Sequence, residues 1–251
     1  MKLGLVTYNL AKDWTLDELL TNAREAGLAG VELRTTHAHG VEPELGAQAR
    51  ADVKRRVADS GIAVVALGTT CEFHAADAAV VEQHVETAKR FVELAKDIGA
   101  RGVKVRPNGF VEGVSREQTL EQIGRALRRC GEAAQAAGVE IYLEMHGRET
   151  QKAEPMRRVM EVCDHPAVAL CWNSNPTDVV DGSIAAAFER VAPWVRHAHI
   201  TELHSDYPWA ELFGILKARG YSGYCMAEIP ASSDPLRLLK YYRALFTALQ
   251  N

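Results

Sequence analysis

The strongest constraint on the fold is a junction that recurs along the chain. A helical pattern ends at a glycine, and a short run rich in β-branched residues follows almost at once. It reads Glu25-Ala-Gly-Leu-Ala-Gly-Val-Glu-Leu-Arg34, Asp59-Ser-Gly-Ile-Ala-Val-Val-Ala-Leu67 and Ile98-Gly-Ala-Arg-Gly-Val-Lys-Val-Arg106. It returns as Ala137-Gly-Val-Glu-Ile-Tyr-Leu-Glu144 and Arg219-Gly-Tyr-Ser-Gly-Tyr-Cys-Met-Ala-Glu228. Glycine just past a helix end supplies the left-handed cap that turns the chain back toward a strand. Helices alternating with short apolar strands imply crossover connections and a parallel sheet. Strands are expected near Leu3–Thr7, Gly30–Arg34, Val64–Gly68, Gly102–Arg106, Glu140–Met145, Val168–Trp172, Arg196–Ile200 and Gly223–Ile229. Between them, Thr15-Leu-Asp-Glu18 and Ser115-Arg-Glu-Gln118 are capping boxes that open helices.

About eight such units in 251 residues predict one (β/α)8 barrel over residues 1–251, with no second domain. A doubly wound sheet would want a glycine-rich phosphate turn after the first strand. Here that turn is Thr7-Tyr-Asn-Leu-Ala-Lys-Asp13 and contains no glycine.

Composition narrows the partners. A formal net charge of -4 gives no electrostatic reason to expect nucleic acid. No apolar run approaches membrane-spanning length, and Met1-Lys-Leu-Gly-Leu-Val reads as a strand rather than a signal peptide. The expectation is a cytoplasmic protein with no membrane or nucleic-acid partner, and a homo-oligomer stays open. The five cysteines (Cys71, Cys130, Cys163, Cys171, Cys225) have no CxxC or disulfide spacing and read as buried thiols.

In a barrel the carboxyl ends of the strands form one rim, where chemistry is placed. Four consecutive strands end in Leu143-Glu144-Met-His146, Cys171-Trp-Asn173, His197-Ala-His199 and Ala227-Glu228. Glu144, Asn173, His199 and Glu228 are therefore oxygen or nitrogen donors at comparable heights, a set that suits a divalent cation. A carboxylate at the end of an apolar strand needs a compensating charge. Either a shared metal or an ion pair to Arg106 or Arg148 would supply it. His197 points to the same face as His199, one layer deeper. It and Glu202 are expected to orient the ligands rather than bind the ion.

These residues, with the Gly30-Val-Glu-Leu-Arg34 second strand, resemble the xylose-isomerase-like barrel superfamily of sugar-phosphate isomerases and epimerases over essentially the whole chain. The resemblance implies one divalent metal (Mn, Zn, Mg or Co) held by Glu144, Asn173, His199 and Glu228. It also implies isomerisation or epimerisation of a sugar, sugar phosphate or cyclitol, by proton transfer beside a carbonyl through an enediolate. Glu144 and Glu228 would be the acid/base pair as well as ligands. One departure stands out. The family pattern usually has aspartate where this chain has Asn173, and often a histidine where it has Pro176. An amide oxygen brings no charge, which favours Mn or Zn, ions that exploit His199, over Mg.

Arg34, Arg106, His146, Arg148, Trp172 and His74 stand near the rim as candidate substrate-binding residues, with Lys104 nearby. Arg106 is best placed as a carboxylate or phosphate fork, the alternative being an ion pair with Glu144 or Glu72. No glycine cluster follows the seventh or eighth strand, which leans toward a small carbohydrate without phosphate. A retaining glycosidase would want an acid after strand four, where the chain reads Arg106-Pro-Asn-Gly. A nuclease of the same superfamily would want more rim histidines and a basic face. A degenerate barrel that binds a sugar or partner subunit stays open because of Asn173, as does a related metal-dependent dehydratase or lyase on keto-sugars.

Overall fold

Gly61, Gly99 and Gly138 take left-handed φ values of 72°, 79° and 72° at helix ends, and a strand begins shortly after each. Both capping boxes form, at Thr15–Glu18 and Ser115–Gln118. A computed structural model, which describes residues 1–250, thus alternates strands and helices from end to end. The strands are β1 (Lys2–Val6), β2 (Gly30–Arg34), β3 (Ala63–Glu72), β4 (Gly102–Arg106), β5 (Glu140–Glu144), β6 (Val168–Asn173), β7 (Val195–Ile200) and β8 (Tyr224–Ala227). The helices are α1 (Leu16–Glu25), α2 (Ala47–Ser60), α3 (Ala78–Ile98), α4 (Arg116–Ala137), α5 (Ala153–Cys163), α6 (Ala185–Val191), α7 (Trp209–Ala218) and α8 (Pro235–Ala248). Each strand pairs in parallel with its neighbours in chain order, and β8 closes on β1, which makes a (β/α)8 barrel.

One strand is longer than its sequence pattern. β3 is expected to stop near Gly68 but runs on to Glu72, with a register break between them, so that Glu72 stands opposite Arg106 of β4. The pair forms an ion contact of 2.5 Å, which explains why a polar tail stays in the sheet.

Residues of alternate parity face the helices and the lumen. Val31, Leu33, Val103, Val105, Leu143 and Trp172 belong to the large apolar layer under the helices. Inside, large side chains fit because glycines concede space. A Cβ on Gly102 would stand 2.5 Å from the Tyr142 ring, and one on Gly4 would stand 2.5 Å from Met226 Sδ. Tyr142, Tyr224 and Met226 accordingly plug the amino-terminal half of the barrel, and all three are buried. Polar residues are left to fill the carboxyl-terminal half. The five cysteines are free and buried, as expected. Among the described residues no helix is long and apolar enough to cross a membrane.

Candidate functional site

The floor of the site is the Tyr142 ring, stacked on His197 at 4.8 Å and 14°. Above it a carboxylate reaches across the lumen. Glu32 of β2 places Oε2 at 2.9 Å from His197 Nε2 and 3.0 Å from His199 Nε2. A carboxylate only accepts, so each Nε2–H donates and the tautomers follow from that bond. All three side chains are fully buried.

With Nε2 committed to Glu32, His199 presents Nδ1 to the rim. That atom is buried, lacks a hydrogen-bond partner, and faces Glu144 Oε1 at 3.5 Å and Glu228 Oε2 at 3.6 Å. Glu144 is further held by Lys104 of β4, whose Nζ donates to Oε2 at 2.6 Å, and by Asn173 Nδ2, which donates to Oε1 at 3.3 Å. Glu228 has no side-chain hydrogen bond among the described residues and is 20% exposed, against 3% for Glu144. The two rim carboxylates are therefore unequal. One is sealed and charge-paired, the other nearly free.

The charges follow from these contacts. Burial opposes ionisation of Glu144, but Lys104 and His199 overcome it and hold its pKa well below the usual carboxylate range. Burial likewise opposes the charge on Glu32, and the two histidines reverse that, so it too stays ionised. For Lys104 the burial penalty is outweighed by Glu144 and Glu32, and the ammonium keeps its proton. His199 is raised well above an ordinary imidazole although burial works against it, through Cys171, Glu32 and Glu144. His197, at the other nitrogen of the same Glu32 oxygen, is lowered by burial and stays neutral. One carboxylate oxygen supports one imidazolium, and the geometry gives it to His199.

These residues fit a divalent ion. Donor atoms of Glu144, His199 and Glu228 all lie within 4.8 Å of one another, and the orphaned Nδ1 points at the two carboxylates. Turning the Asn173 amide end for end would bring its oxygen to the same place. Backing of His199 by a carboxylate on its second nitrogen is the usual support for a ligating histidine. Glu32, Glu144 and Glu228 carry three negative charges, Lys104 one positive. A dication with a neutral His199 balances them. A second group, Cys171 with His197 and His199, is a poorer host. Burial pushes the Cys171 thiol up to about 11, and both Nε2 atoms are already taken.

Over the cluster opens a cavity of about 380 Å³, lined by Arg34, Lys104, Arg106, Glu144, His146, Asn173 and Glu228, all singled out by sequence, and also by Tyr8. Arg106 pairs with Glu72 through one terminal nitrogen, and its buried Nε has no partner. Asn108 donates to the same Glu72 oxygen at 2.8 Å and its Oδ1 lies 2.9 Å from His146 Nδ1, so Arg106, Asn108 and His146 form one braced wall. Four candidates stand outside. Trp172 faces the helices, fully buried against Phe188, with Nε1 donating to the Tyr207 hydroxyl. His74 lies 3.9 Å from Glu72, and Glu202 pairs with His204 at 3.1 Å. Arg148 lines a separate hollow with Phe110 and Arg116. Glu32 of the Gly30–Arg34 strand, by contrast, stands below the rim and is not among the residues that the rim pattern picks out. Its signal was an acid in the middle of an otherwise apolar strand, which must find a partner when buried.

Asp178, five residues past Asn173, turns away from the rim into a short 3-10 turn, Pro176–Asp178. Its Oδ2 accepts from the Asn175 amide at 3.2 Å, and Oδ1 has no partner. Burial pushes its carboxyl from 3.8 up to about 7. Between those values the unfolded chain has released a proton that the folded chain keeps, so stability falls as pH rises through this window and levels off above it. Asp178→Asn is therefore expected to gain roughly 2–4 kcal/mol over wild type at pH 8 and almost nothing at pH 4, read by denaturant unfolding. A pH-independent difference would mean that Asp178 ionises freely.

Among curated protein sequences none matches the chain. Solved structures do. A 3-keto-D-glucoside 4-epimerase from E. coli superposes with a TM-score of 0.82 at 18% identity, covering 99% of each chain. A D-psicose 3-epimerase from Clostridium cellulolyticum H10 gives 0.86 at 14% identity, covering 100% of each. An L-ribulose 3-epimerase gives 0.83 at 21% identity, covering 99% of this chain and 94% of the other. At these identities the likeness is one of fold. The model of the xylose isomerase-like TIM barrel family matches residues 20–247, and the chain belongs to that family.

Proposed function

We propose that the protein is a carbohydrate epimerase or isomerase that uses one divalent metal and transfers a proton at the carbon beside a carbonyl. The observation that carries this reading is His199 Nδ1, a buried donor atom without a partner, set between the carboxylates of Glu144 and Glu228. A buried polar atom left unsatisfied is uncommon unless something completes it. Glu144, His199, Glu228 and the Asn173 amide oxygen would hold the ion. Lys104 already offsets part of the charge on Glu144, which favours manganese or zinc, able to use the histidine nitrogen, over magnesium. When bound, a divalent ion polarises the substrate's carbonyl and neighbouring hydroxyl oxygens.

Moving the proton falls to the chain's own residues. Glu228, with no hydrogen bond to its side chain and an opening to the cavity, is the carboxylate free to remove a proton from carbon. Glu144, on the other side of His199, delivers a proton to the opposite face, drawn from the Lys104 ammonium bonded to it. Glu228 sheds the proton it took to the open cavity, from which Lys104 is recharged. The Lys104 ammonium at 2.6 Å keeps Glu144 oriented and ionised between turnovers. His146, braced by Asn108, lies where it can bind a substrate hydroxyl. That three solved epimerases of sugars share the fold supports a sugar as substrate.

The test is metal content. Protein purified without chelator is expected to carry about one divalent ion per chain, and Glu144→Gln to lose it, by elemental analysis. Because the ion replaces a proton on His199 Nδ1, affinity should rise with pH. A wild-type protein with no stoichiometric ion, also after incubation with Mn or Zn, sinks the metal half of the proposal. Candidate ketoses incubated in deuterated water then test the chemistry, through exchange at the carbon beside the carbonyl.

A further inference from the structure

The cavity holds three basic side chains, and two already pair with a carboxylate. Lys104 Nζ is bonded to Glu144 at 2.6 Å and Arg106 to Glu72 at 2.5 Å. Arg34 is the third. No carboxylate lies within ion-pair distance of its guanidinium, and none of its side-chain donors finds an acceptor, among the described residues. Yet the residue is held firmly. Its amide donates to Thr7 Oγ1 at 2.9 Å, its carbonyl lies 2.8 Å from His39 Nε2, and its guanidinium carbon sits over the Tyr8 ring, 5.3 Å from the centroid. Strand alternation explains the direction. Glu32 and Arg34 share the inward face of β2, and Leu33 between them is buried under the helices.

A fixed backbone, an aromatic backing that also lines the cavity, and a free fork of donors make a receptor for a planar anion. A guanidinium over a ring keeps its in-plane N–H groups available, and two of them match the two oxygens of a carboxylate. A phosphate would want more donors. The loops after β7 and β8 have no glycine cluster, and the other two basic groups of the cavity already have their charges paired with carboxylates. We propose that Arg34 binds a carboxylate on the substrate, which makes the substrate a sugar acid rather than a neutral sugar. This assignment rests on the proposed carbohydrate chemistry, but binding alone can test it.

The experiment measures calorimetric affinity for matched six-carbon probes that do not turn over: gluconate, neutral glucitol and glucitol 6-phosphate. The protein is wild type, Arg34→Gln and Arg34→Lys, as purified. Wild type is expected to bind gluconate roughly 10- to 100-fold more tightly than glucitol, the range of a charge-assisted hydrogen-bonded pair. Arg34→Gln should erase that preference, and Arg34→Lys should keep part of it. Equal affinity of wild type for gluconate and glucitol overturns the assignment. So does a gluconate preference that survives Arg34→Gln, which would place the carboxylate elsewhere, on a bound ion for example. Tighter binding of the phosphate ester than of gluconate overturns the choice of carboxylate. None of these outcomes depends on proton exchange, so failure here and failure of the epimerase reading remain separate results.

Discussion

Lys104→Met is expected to remove roughly 3–5 kcal/mol of folding stability, the range for stranding one member of a buried ion pair. The Lys104 and Glu144 side chains are 7% and 3% exposed, so water cannot take over the lost contact. Methionine keeps most of the volume, and what disappears is the charge. Glu144 would then face only His199 and the Asn173 amide, with Glu32 close behind. For a domain of this size the loss corresponds to a fall of roughly 6–20 °C in the unfolding midpoint. Adding Glu144→Met to the same chain should recover much of it, because an apolar pair of similar volume often replaces a buried ion pair without penalty. Saturating manganese should also raise the midpoint of the single variant, since a dication supplies the missing charge. A single variant within about 1 kcal/mol of wild type would show that water reaches the pair in solution.

Glu228→Gln should separate chemistry from folding in the opposite way. Its side chain has no hydrogen bond to lose and is 20% exposed, so the unfolding midpoint is expected to move little. The rate of solvent-deuterium exchange into a ketose, measured at saturating metal, is expected to fall roughly 10²–10⁴-fold, the usual contribution of a positioned acid/base group. Exchange within tenfold of wild type, with metal bound, would remove Glu228 as the proton carrier. Comparison with Glu144→Gln is informative. That change strands the Lys104 ammonium, so it should cost stability as well as activity.

How much of this could be read from the chain alone differs by residue. The order of the strands, the capping boxes and the rim positions of Glu144, His199 and Glu228 follow from local patterns, glycine junctions and strand parity, and only strand ends shift, most at β3 and β8. Parity also argues against Trp172 as a cavity residue, because its neighbours Cys171 and Asn173 are the ones that face inward. Partnerships were harder. Arg106 is legible as a rim cation, but its capture by Glu72 depends on the extension of β3 past Gly68, which no apolar run announces. Lys104 could be placed near the rim, whereas its choice of Glu144 is a matter of neighbouring strands meeting side by side. Glu32 was the least legible. Its partners lie 165 and 167 residues away, and nothing near it in sequence points to them.

That last contact has a kinetic side. Glu32 sits on the second strand and His197 and His199 on the seventh, and between them β1 and β8 close the ring. A chain emerging in order from its amino terminus therefore carries Glu32 for most of its length with no histidine to meet. A half-barrel intermediate must keep the inner face of β2 hydrated, because burying that carboxylate alone is prohibitive. Contacts of such long sequence separation form late, after loop-closure entropy has been met. The bridge across the lumen thus acts as a seal on completed closure. A misregistered or truncated barrel would lack it, and with it the orientation of the nitrogen on which the site depends.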